Sequence, residues 1–150
     1  MKLFKLIGIL FICIVGFYLA LFAYGYIKST GYDETAIPYI KKVIPEISSW
    51  DIDVLKKYSS AEALNNVSDR DLIKLMRFFS KLGEFRSMNE PQFVNVTTNT
   101  DISNGNQTIA TFAIVGYYDN GEANITLSLL EVEGGFQIYH LKITSPALIE

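Results

Sequence analysis

Cysteine and histidine are almost missing from this sequence. The 150 residues hold one of each, Cys13 and His140. Cys13 lies inside an apolar N-terminal run, so the rest of the chain can form no intrachain disulfide, which excludes a disulfide-stapled fold and any cysteine-based zinc site there. A single histidine without cysteine cannot build an ordinary transition-metal centre, and no EF-hand spacing is present. No cofactor is expected. Basic charge is also scarce in the second half: from Gln92 onward Lys142 stands alone against six acids, whereas residues 28–91 carry ten bases and ten acids. A nucleic-acid binder needs clustered Lys and Arg to displace counterions from phosphates, so nucleic acid is not an expected partner.

What the chain does have is LIGILFICIVGFYLALFAYGYI, an uncharged run of 22 residues from Leu6 to Ile27. A helix rising 1.5 Å per residue needs about 20 apolar residues to cross a hydrocarbon core of about 30 Å. A cleaved signal peptide would have a run of roughly 7 to 15 residues and a small-x-small site. Here Leu21 spoils the nearest such site, and Ile12 before Cys13 spoils a lipoprotein signal. The expectation is a retained single-pass anchor, with Tyr18, Tyr24 and Tyr26 toward its headgroup end. Lys2 and Lys5 precede the run, while Lys28 is soon offset by Asp33 and Glu34, which predicts a cytoplasmic N-terminus and an extracytoplasmic domain in the cell membrane. The expected divisions are a tail at 1–5, an anchor at 6–27, a linker at 28–32 and one domain at 33–150. Five linker residues reach only about 17 Å, so the domain would sit against the bilayer.

Between Asp33 and Tyr58, Ile37, Ile40, Ile44 and Ile47 keep helical spacing, and Pro45 predicts a break before a second helical piece over 51–58. Trp50 is expected to pack where the two meet. The clearest helix runs from Ser68 to Leu82. Ser68 and Asp71 form a variant capping box, Leu72, Leu75, Met76, Phe79 and Leu82 share one face, and Gly83 supplies the stop. Beyond it, 92–98, 108–118, 122–132 and 136–144 are rich in β-branched and aromatic residues and read as four strands. Asp119-Asn120-Gly121 is a hairpin signal because Asn-Gly readily takes positive φ, and Glu133-Gly134-Gly135 supplies the next turn. The strand 108–118 alternates poorly, as expected of one covered on both sides or strongly curved.

The order of helices before strands, the passage LIKLMRFFSKLGEFRSMNEPQF and the closing hairpin ITLSLLEVEGGFQIYHLKITSP resemble the small bacterial NTF2-like, cystatin-like α+β domains. The resemblance covers about 33–146. It implies helices packed on a curved four-stranded antiparallel sheet, a cone-like roll that often encloses a pocket. It carries over no catalytic residue.

Chemistry-bearing residues are few. His140, placed by alternation on the side of Phe136, Ile138 and Lys142, has no neighbouring carboxylate motif to make it an acid or base. The carboxylate pairs Asp51/Asp53, Asp69/Asp71 and Glu131/Glu133 suit helix starts and hairpin solubility. No catalytic, cofactor or metal residue is assigned. Tyr117, Tyr118 and Tyr139, with Phe136, are expected to meet where the long strands pair and to form a partner contact. Together these features point away from an enzyme and toward a membrane-anchored interaction or assembly module, such as an accessory subunit of an envelope membrane complex. The alternative is a cone whose pocket binds or isomerises a small apolar ligand.

Overall fold

A computed structural model describes residues 13–20, 31–65, 67–101 and 105–149. The chain divides into two compact units, Met1–Glu34 and Thr35–Glu150. In the first unit, residues 13–20 are helical with exposed side chains, and 31–33, in part assigned above to the linker, are helical too. The flanks of the expected anchor, 6–12 and 21–27, lie outside the described residues, as do the tail 1–5 and residues 28–30. Among the described residues no helix is long and apolar enough to cross a membrane.

The second unit is α+β. Helix α1 (Ala36–Ile47) buries Ala36, Ile37, Ile40, Val43, Ile44 and Ile47, one stripe at three- and four-residue steps. The predicted break at Pro45 does not occur. Proline removes one N–H and crowds the carbonyl four residues back, but Lys41 and Pro45 are both exposed, so water can take the freed carbonyl. Buried Ile44 and Ile47 meanwhile hold the last turn in place. The chain turns instead at Ser48–Trp50, where Trp50 takes φ 60°. That left-handed conformation is costly for a bulky side chain. It persists because the indole packs 6.0 Å from Phe79 and 5.6 Å from Tyr118, and Nε1 donates to the Gly83 carbonyl at 3.1 Å.

Asp51 caps α2 (Ile52–Tyr58) by accepting from Asp53 N, and Ser60 caps the one-turn α3 (Ala61–Leu64) by accepting from Ala63 N. Ser68 caps α4 (Asp69–Phe79), accepting from Asp71 N at 3.2 Å and donating to Asp71 Oδ2 at 2.7 Å. A 3-10 turn, Ser80–Leu82, continues it, and Gly83 stops it at φ 81°. Leu72, Met76 and Phe79 are buried, each contributing about 1.5–3 kcal/mol of apolar transfer. Leu75, expected with them, is 40% exposed on the flank of that face.

Among the described residues the sheet has five strands and not four: β1 (Phe85–Met88), β2 (Gln92–Asp101), β3 (Gly105–Tyr118), β4 (Gly121–Val132) and β5 (Gly135–Thr144), all pairs antiparallel. β1 is four residues long with two polar members, too short to show alternation in sequence. It shares one edge of β3 with β2, the two separated at Asn89–Pro91. Pro91 cannot donate to a ladder, and Asn89 bridges the gap: its Oδ1 accepts from Val115 N at 2.6 Å while its own N–H donates to Val115 O at 3.0 Å.

The hairpin at Asp119–Asn120 forms, but Asn120 does not take positive φ; Gly121 does, at 142°. Both loop residues are held by the segment after α4. Asp119 accepts from Glu84 N at 3.2 Å and Arg86 Nε at 2.5 Å, while Asn120 donates from its backbone to Leu82 O at 3.0 Å and from Nδ2 to Lys81 O at 2.7 Å.

Alternation along β3 and β4 turns Ala110, Phe112, Ile114, Ala123, Ile125, Leu127 and Leu129 toward the helices, where they meet Ile40, Val43, Ile44 and Leu82. The space between sheet and helices is filled by these side chains. At one corner both faces are covered: the paired Ile109 and Leu130 point the other way, yet are 7% and 6% exposed. Gln107, two residues along on that face, donates to Glu62 of α3 at 3.1 Å, so α3 reaches over this corner.

Candidate docking surface

The tyrosines expected to form one contact are separated. Tyr118 is a core residue, 6% exposed, with Phe85 edge-on at 5.6 Å and Trp50 at the same distance. Ser48 Oγ donates its only hydrogen to Ile44 O at 2.8 Å, so in the 3.0 Å contact between the hydroxyls the Tyr118 phenol is the donor. Burial pushes that phenol's pKa up, partly offset by the serine. Tyr117 points away from the core and is 43% exposed. Tyr139 is distant from both. Tyr117 pairs with Glu122 and the neighbour of Tyr139, His140, with Ser128; those partners lie six residues apart along β4, roughly 20 Å at strand rise. Phe136 packs instead on Tyr39 of α1 at 5.7 Å.

The separation has a local cause in β5. Leu129 pairs with Ile138 and Ser128 with His140, leaving Tyr139 as an extra residue, a bulge. One extra residue inverts the alternation that follows. Ile138 therefore faces the core and His140 the exposed outer face, not the shared side that simple alternation predicts.

Three of the six paired carboxylates have a structural role. Asp51 caps α2, Asp69 meets Lys56 at 2.6 Å, and the Ser68 hydroxyl, with help from Lys74, holds the Asp71 carboxyl below its ordinary range. Arg86 and the Glu84 backbone do the same for Asp119. No group of three or more His, Cys, Asp or Glu among the described residues could hold a metal ion. A second aromatic cluster lies between α1, α2 and the β4–β5 turn. Tyr39 stands edge-on to Tyr58 at 6.3 Å, the Tyr58 hydroxyl donates to Glu46, and Lys57 lies 4.9 Å over the Tyr58 ring. Burial, then Tyr58, pushes the Tyr39 phenol up to about 12.

In the second unit, four exposed large apolar side chains cluster elsewhere, around α4. Ile73 is 48% exposed on one flank; Leu75 and Phe78, at 40% and 43%, lie on the other, and Val67 just before the helix is also 40% exposed. Val67 and Leu75 rim a groove of about 170 Å³ whose floor includes Leu55, Leu64, Leu72 and Ile138, and whose far wall is Tyr139 to Leu141 of β5. The β5 edge is occupied at one end, where Ser60 N donates to Ile138 O at 2.9 Å. Between the apolar flanks of α4 runs a crest of exposed Arg70, Lys74 and Arg77, with Lys81 following in the 3-10 turn 5.6 Å from the Phe78 ring. Sequence reasoning missed this surface because it credited Leu75 to the core stripe. The available signal was the stripe's width: Leu75 and Phe78 sit beside the Leu72–Met76–Phe79 line, not on it.

No protein-family model matches the chain, and no curated protein matches it. The resemblance to NTF2-like domains thus rests on pattern alone.

Proposed function

We propose that this chain is a membrane-anchored domain that works by contact, docking another membrane or envelope protein and not transforming a substrate. The observation that carries the reading is the apolar groove between α4 and β5 with its exposed rim at Val67 and Leu75 and Phe78 beside it. Large apolar side chains clustered at a surface groove are characteristic of protein contacts, and a helix flank beside a sheet edge accepts either an amphipathic helix or an added strand. The uncharged run 6–27 is the proposed anchor, with the domain outside the cell membrane. Helices placed before a bulged antiparallel sheet support the NTF2-like comparison as part of the same proposal. An enclosed apolar-ligand pocket is less well served, since the space under the sheet is occupied by Phe112, Ile114, Leu127 and Ile40.

The test uses the full chain in its host membrane with a photo-crosslinking residue at Leu75. The expected result is a discrete protein adduct, lost on Val67→Glu and kept on Lys142→Gln, which lies outside the groove. Diffuse labelling indifferent to Val67→Glu, or equal loss of the adduct on Lys142→Gln, would overturn the contact reading.

A further inference from the structure

The crest of α4 has a different chemistry from the groove beside it. Arg70, Lys74 and Arg77 recur at four- and three-residue steps opposite the buried Leu72–Met76–Phe79 line, and Lys81 extends the row to about 16 Å at helical rise. All four are exposed. Among the described residues neither Arg70 nor Arg77 has a carboxylate within ion-pair distance; Lys74 has only the exposed Asp71 at 3.5 Å. Asp69 is neutralised by Lys56 at 2.6 Å, and Asp51 and Asp53 stand off the crest, across the groove that Ile73 and Arg77 line with Trp50. Exposed Ile73 and Phe78 flank the row on its two sides. The remainder of the domain has the opposite sign: residues 92–150, which form most of the sheet, hold one base against six acids.

We infer that the α4 crest is a contact surface for anionic lipid headgroups. Basic side chains near such a surface each add a modest attraction, and flanking Ile and Phe side chains can enter the headgroup boundary between them. The acidic sheet half is repelled by the same surface. The charge asymmetry therefore selects one orientation, crest toward the lipid and sheet away. This inference rests on the tethered reading, because four basic residues hold a free domain on a bilayer only weakly. It is compatible with the docking groove: the two lie on neighbouring sides of one helix, so a membrane protein seated against Leu75 leaves the crest available to the lipid beside it.

Trp50 is the only tryptophan and lines the α4 groove with Ile73 and Arg77, which makes it a native probe. The full chain is reconstituted in vesicles of phosphatidylcholine alone, or mixed with phosphatidylglycerol, each with brominated acyl chains that quench tryptophan on approach. Quenching should be stronger in the anionic vesicles, be relieved by high salt, and fall in the Arg70→Gln, Arg77→Gln double variant, whose docking equilibrium should weaken roughly thirty-fold. Lys142→Gln should leave it unchanged. An unchanged Trp50 emission and melting transition without vesicles certify the fold of each variant. Equal quenching in both lipids, or equal loss from Lys142→Gln, overturns the inference. Flat quenching, with the double variant instead losing cross-links to a protein, assigns the crest to an acidic protein face and overturns it too. Failure of the chain to float with phosphatidylcholine vesicles would count against the anchor and not against the crest. Flotation on anionic vesicles at low salt and high lipid concentration, where weak attraction is enough to bind an untethered domain, would still support the crest if lost in the double variant, and its absence under those conditions would refute it.

Discussion

Replacing Gly116 with alanine should destabilise the domain by about 2 kcal/mol, through a single aromatic ring. A Cβ at position 116 would stand 2.9 Å from Tyr118 Cε2, 3.3 Å from the Tyr118 hydroxyl and 3.2 Å from Ile125 Cδ1. The isoleucine methyl can swing away. The tyrosine cannot, because its ring is held by Trp50 and Phe85, each at 5.6 Å, and its hydroxyl donates to Ser48 at 3.0 Å. Overpacking costs about 1–3 kcal/mol and the displaced hydrogen bond about 1 kcal/mol more. Against this, alanine gains about 0.5–1 kcal/mol over glycine in backbone entropy. For a domain of roughly 115 residues the net loss lowers Tm by about 8 °C. Trp50 fluorescence reports both the melting and the ring displacement, since the indole touches Tyr118 directly. The decisive arm is a double-mutant cycle with Tyr118→Ala, in whose background Gly116→Ala should be neutral or stabilising. An equal cost in both backgrounds, or no cost in the parent, would refute the reasoning.

Tyr39 should ionise near pH 12, well above the ordinary phenol, as read from absorbance at 295 nm in the parent minus Tyr39→Phe. Because its folded pKa is raised, the contribution it makes is fully present below about pH 10 and is lost as pH rises toward 12, so Tyr39→Phe should flatten the alkaline limb of the stability profile. Asn120→Ala removes the bond to Lys81 O and should cost about 1 kcal/mol in urea unfolding, while Asn120→Gly, which loses the same bond, should fare no better. Trp50→Gly relieves the φ of 60° but discards the indole's packing on Phe79 and Tyr118 and its bond to Gly83. Packing should win, with a net loss of about 2–4 kcal/mol by thermal melting. A stabilised Trp50→Gly protein would mean that the strain outweighs the contacts.

Local sequence determined the parts of this protein whose causes are local. The capping serine at 68, the 3.6-residue recurrence of Leu72, Met76 and Phe79, the stop at Gly83 and the two hairpin turns were all legible, because each depends on neighbours within a few residues. The α+β order followed from them. Tertiary structure decided the rest. Pro45 stays helical because it and Lys41 lie on the exposed side of α1, where water can take the carbonyl that proline leaves unpaired, and Ile44 and Ile47 are buried. Asn120 keeps negative φ because its loop is tied to the end of α4, more than thirty residues earlier. The bulge at Tyr139 inverts β5 and scatters the expected tyrosine patch, an effect set by cross-strand register and invisible to alternation along one strand. Leu75 became surface and not core for the same kind of reason. Periodicity says which side of a helix is apolar, but the width of the face that is covered depends on what packs against it.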